Sequence, residues 1–463
     1  MAAPRRTCIR WVSLFFSCTA LIGPFFSIDM LGPLQKPIME HFEIENTKFN
    51  FLYTSYDITG VIAIILGGLF INKYGVRLGF FIFFIVTILG QHYTLKGVQE
   101  GSYSVTLLGR VITSLGVENI ILAKTVMVGK WFQTEELSPA MWLALLFSKS
   151  GSGMAAYLTP YIYDKEKELY EAFEFANRLC VLSFIASLVT NLVDWYATKR
   201  ERRAEPKANR EQFRFDRTKF KPIYFLLVFN SAMVYSAISC FLNNSADMMN
   251  KGFGVGLITA GKFLAAAYLV IPVLLIPIGT ILLQFTKRIT VMMISSLFLF
   301  GIILYTIVLP SRSEEEPNNW VVLSVIGVAI GYAFYLEALW ICIAASVEAG
   351  SQGIGFAIFL IIQNLAIALT TLISGVIHDL TPHAKYGYFW PLVFLLGILA
   401  CGVAGTLRLM SKGIEKRASI YSKSWKSNKD FRHLCKLRFE DIRRMYFLPF
   451  ENTKRPSLFV KFL

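Results

Sequence analysis

The sequence predicts an all-α membrane protein with 12 transmembrane helices in two six-helix bundles, and three observations carry that prediction. The chain has 463 residues, of which 55% are hydrophobic and only 17% charged, too apolar for a soluble protein of that length. Apolar runs of about 20 residues, the length of one helical crossing, recur from end to end. The formal charge of +15 is concentrated rather than spread. Residues 199–221 hold ten Lys/Arg against four Asp/Glu, and residues 410–463 hold fourteen against five, so these two stretches account for all of it.

Taken in order, the apolar runs give spans at 11–34, 51–72, 78–97, 104–130, 137–163, 175–198, 221–246, 256–284, 288–310, 319–347, 351–380 and 387–409. Span 1 follows Arg5, Arg6 and Arg10 and resembles a secretory leader as far as Ala20. Its apolar run nevertheless continues through Gly23 and Pro24 to Leu34, which predicts an uncleaved first helix. Spans 2 and 3 are joined by a short glycine-bearing turn, Gly68 to Arg77. The linker after span 6 divides the chain into residues 1–198, a basic linker 199–220, residues 221–409 and a basic tail 410–463. Basic loops mark the cytosolic side, so the linker, the tail and both termini are expected there, and an even number of crossings follows. The intervening loops lean acidic, as in 164–174 and 312–317, and are expected on the lumenal or outer side.

A 6+6 arrangement points to a secondary transporter with its site between two halves near the membrane midplane. A polytopic scaffold has the same outline. The seven cysteines are scattered without paired spacing and the five histidines form no metal-ligand cluster. With no phosphate loop or nucleophilic triad either, neither an enzyme nor a cofactor is expected, and the charge distribution gives no nucleic-acid face.

Gly68-Leu-Phe-Ile-Asn72-Lys73-Tyr-Gly75-Val-Arg77 resembles the loop signature of the major facilitator superfamily, with Asn72 where that pattern has an acid. Residues 279–288 are the counterpart in the second half, with Gln284 near the acidic position. Segments 46–53, 109–118, 130–137, 148–152, 337–340, 354–366 and 374–379 resemble, in order and spacing, the lysosomal dipeptide transporters of the major facilitator superfamily domain-containing protein 1 group. The resemblance covers most of residues 20–409. It implies a dipeptide substrate, uniport from an acidic lumen, a lysosome-like membrane and a glycosylated accessory membrane protein. A plasma-membrane location and a homodimer stay open.

Two charges stand alone in apolar segments, Glu118 in span 4 and Lys149 in span 5. An ionised group at the bilayer centre costs roughly 2.5–3.5 kcal/mol by insertion scales and usually faces a cavity. Facing inward, the acid receives a substrate ammonium and the base a carboxylate. A salt bridge between the two is the competing reading. The resemblance places an acid and an arginine at these positions, so Lys149 keeps the charge without the bidentate fork. Arg110, two turns before Glu118, is expected to couple to gating or to cap neighbouring helices. Asp29 and Asp57 are expected near the lumenal ends of spans 1 and 2, Asp29 as a contact for a cationic side chain. Tyr235, Glu337, Trp340, Gln363 and Asn364 complete the expected substrate contacts, with Glu337 a departure from the resemblance. Asn72, Lys73 and Arg77 join Arg110 as expected gating residues. Two rivals remain: a proton-coupled organic-anion or sugar carrier of the same fold, and a non-transporting sensor or scaffold that holds anionic lipid or adaptors through its basic linker and tail.

Overall fold

A computed structural model describes residues 8–132, 136–200, 220, 222–282, 288–311, 316–347, 352–381 and 387–411. The chain is helical throughout these segments: α1 (Cys8–Thr19), α2 (Ile22–Asp29), a 3-10 turn (Gly32–Leu34), α3 (Gln35–Phe42), α4 (Asn46–Tyr74), α5 (Val76–Gln99), α6 (Tyr103–Trp131), α7 (Leu137–Glu166), α8 (Leu169–Arg200), α9 (Pro222–Asp247), α10 (Leu257–Leu282), α11 (Arg288–Val308), α12 (Val321–Ser346), α13 (Gln352–Leu380) and α14 (Phe389–Ser411). Eleven helical runs are long and apolar enough to cross a membrane, with α1–α3 counted as one. The twelfth long helix, α7, has 30 residues and a lower hydropathy because the Ser148–Ser152 run, with Lys149 inside it, interrupts its apolar stretch. Residues 1–412 form one compact unit and 413–463 a second, the latter outside the described residues together with the basic linker 201–219.

The first crossing departs from expectation. It runs for 34 residues from Ile9 to Phe42 and breaks twice, after Thr19 and after Asp29. Gly32 lies so close to α9 that a Cβ would sit 2.6 Å from the Asn243 carbonyl oxygen, and Pro33 lacks the N–H that would continue a helix. Asp29 therefore lies at an interior break, not at the end of the span. Asp57 is also interior, eleven residues into α4, or about 16 Å along its axis. Both placements correct the sequence expectation, because the helices continue through polar residues that an apolar-run reading leaves outside.

Two faces are distinguishable. On the linker face, the Asn191 side chain donates to the Arg77 carbonyl at 3.1 Å and Phe220 forms a backbone bridge with Val347. On the far face, the Tyr103 hydroxyl donates to the Lys48 carbonyl at 2.9 Å and Asn318 N–H to the Phe253 carbonyl at 2.9 Å.

Helices α5 and α6 form a close antiparallel seam from one pattern used twice. Thr87, Gly90, Thr94 and Gly97 on α5 face Gly116, Thr113, Gly109 and Thr106 on α6. A Cβ on any of the four glycines would lie 2.2–2.3 Å from an atom of the opposing threonine. The hydroxyls of Thr87, Thr94 and Thr106 donate to carbonyls one turn back at 2.9–3.1 Å, so they are satisfied although their oxygens face the opposing glycines. Small residues that let backbones approach are a main source of helix association in lipid. The seam therefore holds α6, which carries Arg110 and Glu118, at a fixed rotation.

The two bundles meet where α4 packs on α13 and α7 on α10. In the second bundle Asn230 is a polar hub: it accepts from the Tyr335 hydroxyl at 2.6 Å and donates to Thr406 at 2.9 Å. The Asn243-Asn244-Ser245 glycosylation sequon lies inside α9, with Ser245 fully buried.

Candidate functional site

Arg110 is among the largest fully buried side chains, at 1% exposure. The break after Asp29 frees carbonyls at the C-terminus of α2, where the helix dipole is negative. The Arg110 guanidinium fills that position, donating to the Ser27 carbonyl at 2.9 Å and approaching that of Ile28 at 3.5 Å. Its charged end lies 5.0 Å from the Tyr56 ring centre and 5.9 Å from that of Tyr53, both on α4. These contacts replace the water a buried cation gives up.

Glu118, two turns further along α6, reaches across Gly60 of α4. A Cβ on Gly60 would meet the Glu118 Cγ at 3.1 Å and the Asn364 Nδ2 of α13 at 3.3 Å. An acid of the first bundle and an amide of the second thus converge over a gap that only glycine leaves. Tyr56 and Asp57 lie within electrostatic reach of the same carboxylate. Gln363, next to Asn364, is buried with its Oε1 unpartnered.

Lys149 projects from α7 toward α10, its ammonium 5.2 Å from the Tyr268 ring centre. The acid that acts on it is Asp29, which also neighbours Tyr268. No ion pair within 4 Å links Lys149 to Glu118 among the described residues. Tyr235 of α9 stacks edge-on against Tyr332 at 5.3 Å and lies within reach of Asp29, Asp57 and Glu118. The structure thus gathers Asp29, Asp57, Glu118, Arg110 and Lys149 from the first bundle, faced by Tyr235, Tyr268 and Asn364 from the second. Three acids and two bases share the region, with the acid pole at Glu118 and the base pole at Lys149.

Comparison with known proteins gives this arrangement a family. The profile of the Major Facilitator Superfamily matches residues 15–371. The chain belongs to that superfamily. Among curated relatives, the lysosomal dipeptide transporter MFSD1 of Danio rerio is 23% identical over 427 residues, covering 88% of this chain and 87% of its own. The protein of the same name from Homo sapiens is 22% identical over 417 residues, with the same coverage. Among solved structures, the nucleoside transporter NupG superposes with a TM-score of 0.67 at 13% identity, covering 86% of this chain and 99% of that one. A POT family transporter in complex with a thioalcohol-conjugated peptide gives 0.65 at 13% identity, covering 87% and 96%. At these identities the structural matches establish the fold, a major facilitator transporter fold of two six-helix bundles.

Within this superfamily fold the remaining expected residues take separate places. Glu337 and Trp340 lie toward the linker end of α12. The charge acting on Glu337 is Arg288 at the start of α11, while Trp340 packs on Phe356 and Phe359 with ring centres 5.4 Å away in each case. Neither joins the central charges. In the loop signature, Arg77 donates to Asp194 of α8 at 2.5 Å, and Lys130 and Trp131 donate to the same carboxylate at 3.0 and 2.9 Å. Arg77 is thereby tied within the first bundle. Lys73 is exposed, 5.0 Å from the Tyr74 ring centre. The side chain of Asn72, and residues Gln284 and Lys287, lie outside the described residues. Gly60, Tyr56, Tyr268 and Asp194 were not singled out from sequence. Only the charge of Asp194 in an apolar span signalled any of them.

Proposed function

We propose that the protein is a carrier of dipeptides, cationic ones included, that moves its substrate by alternating access between its two bundles, residues 1–198 and 221–409. The observation that carries this reading is the separation of Glu118 and Lys149. An acid and a base that are not paired with each other leave both poles to a zwitterion, whose ammonium meets Glu118 and whose carboxylate meets Lys149. The tyrosines and Asn364 supply the hydrogen-bonding groups and apolar walls that a peptide needs. Asp29, the third acid of the region beside Asp57 and Glu118, is placed to receive a cationic side chain. The similarity to MFSD1 lysosomal dipeptide transporters supports the substrate class and a lysosomal membrane; the linker face is cytosolic by its charge, and release toward it is part of the proposal. Uniport, a glycosylated accessory protein and homodimer formation are parts of this proposal that call for direct measurement.

The test is uptake by liposomes containing the purified protein, comparing a cationic dipeptide, a neutral dipeptide and free lysine. Dipeptide flux that falls at least tenfold in both Glu118→Gln and Lys149→Ala, with free lysine excluded, is the expected result. Flux of none of the three by a folded protein would turn the reading to a carrier of organic anions or sugars, or to a scaffold.

A further inference from the structure

The α4–α13 contact is more specific than two helices packed across a bundle interface. Asp379, near the C-terminal end of α13, places both carboxylate oxygens on the first turn of α4. Its Oδ1 accepts from Asn46 N–H at 3.0 Å and Asn46 Nδ2 at 2.9 Å, and its Oδ2 accepts from Thr47 N–H at 2.7 Å and Thr47 Oγ1 at 2.5 Å. The two N–H groups are donors that a helix start leaves orphaned, at its positive dipole end. No basic side chain lies within 4 Å of Asp379 among the described residues. The helix terminus of one bundle is therefore the partner of a carboxylate on the other.

From that point the seam continues inward at nearly constant register. Gly375 lies against Asn50, where a Cβ would meet Asn50 Nδ2 at 3.0 Å, and the Thr54 hydroxyl donates to the Ala368 carbonyl at 3.1 Å. It reaches Gly60, which lies between Asn364 and Glu118. Fifteen residues of α13, about 22 Å of helix, thus join the far-face rim to the acid pole of the site. Asn244 of α9 reinforces the seam by donating to Asn50 at 3.2 Å.

We propose that Asp379 and the N-terminus of α4 form the lock of the far-face gate, and that Gly60, with Glu118 and Asn364 on either side of it, is the inner end of the same seam. Opening toward the far face breaks all four hydrogen bonds to Asp379 at once. A substrate ammonium that draws Glu118 away from the Gly60 crossing, where Asn364 also lies, loosens the seam from within, which joins occupancy to gating. This second step rests on the carrier reading above. The lock itself does not.

The experiment reads the lock without substrate. Spin labels are placed at Tyr161→Cys on α7 and Val308→Cys on α11, two exposed positions at the far ends of different bundles, in a background with Cys8→Ser, Cys342→Ser, Cys401→Ser and Cys435→Ser, which keeps only the buried Cys18, Cys180 and Cys240. Distances between them are measured by pulsed electron resonance in nanodiscs. In Asp379→Asn and separately in Thr47→Val, the population at longer distance is expected to rise at least fivefold over the parent, with the double variant no more open than the greater of the two. Distributions that match the parent in both folded variants would overturn the lock, whatever the liposomes show. A wider distribution with no dipeptide flux would keep the lock and sink the dipeptide reading.

Discussion

At the scale of single residues, Arg110 makes a firm demand on stability. Removing it leaves the Ser27 and Ile28 carbonyls at a buried helix end without a donor, and an orphaned buried acceptor costs about 1–3 kcal/mol. Arg110→Ala is expected to destabilise the detergent-purified protein by about 2–4 kcal/mol, counting the lost ring contacts. Arg110→Lys should recover part of this, because one ammonium does not span two carbonyls and two rings. Thermal unfolding of the three proteins checks it, and identical midpoints would refute the capping role. Gly60 tests the site more directly. A methyl group there would press on Glu118 Cγ and Asn364 Nδ2 at 3.1 and 3.3 Å, so Gly60→Ala should cut dipeptide flux severalfold while leaving the unfolding free energy within about 1 kcal/mol of the parent. A full loss of folded protein would place Gly60 in the core rather than the site. Glu118 and Lys149 were legible in the sequence because a charge in an apolar run is conspicuous. Gly60, Tyr56 and Tyr268 were not, since nothing local separates a glycine or tyrosine that lines a site from one that merely packs.

At the scale of elements, the α5–α6 seam is the part of the fold with the least room to give. Gly109 and Gly90 face backbone nitrogens of Thr94 and Thr113 at 2.3 Å from a would-be Cβ, and backbone yields only by moving a whole helix. Gly109→Leu is expected to abolish folded, monodisperse protein on size-exclusion chromatography. Gly129→Ala, on the same helix with nothing within 4 Å, should elute as the parent does. Equal behaviour of the two would mean the seam separates cheaply. The extents of most helices were readable from apolar runs to within a few residues. The first crossing was not: its end lies at Phe42, beyond Gln35, Lys36 and Glu40, and its breaks depend on contacts with α6 and α9 that no local pattern encodes. The Asp379 lock is hidden for the same reason, since its partners, Asn46 and Thr47, lie more than 300 residues away in sequence.

At the scale of the whole molecule, charge alone predicts an orientation. The linker 199–221 and the tail 410–463 carry the entire surplus of +15, and basic segments are retained on the cytosolic side during insertion. The linker face also holds Arg10, Arg77 and Lys130 in ion pairs with Glu136 and Asp194, so the bias extends into the folded helix ends. The far face carries the acidic turn around Asp164 and Glu166. An epitope inserted in the linker near residue 208 should therefore be stained after selective permeabilisation of the plasma membrane, in cells whose organelle membranes remain sealed. An epitope in the 312–316 loop should need those organelles opened as well. The reverse pattern would put the Asp379 lock on the cytosolic side, and the gate it closes would then be the exit for the substrate rather than its entrance.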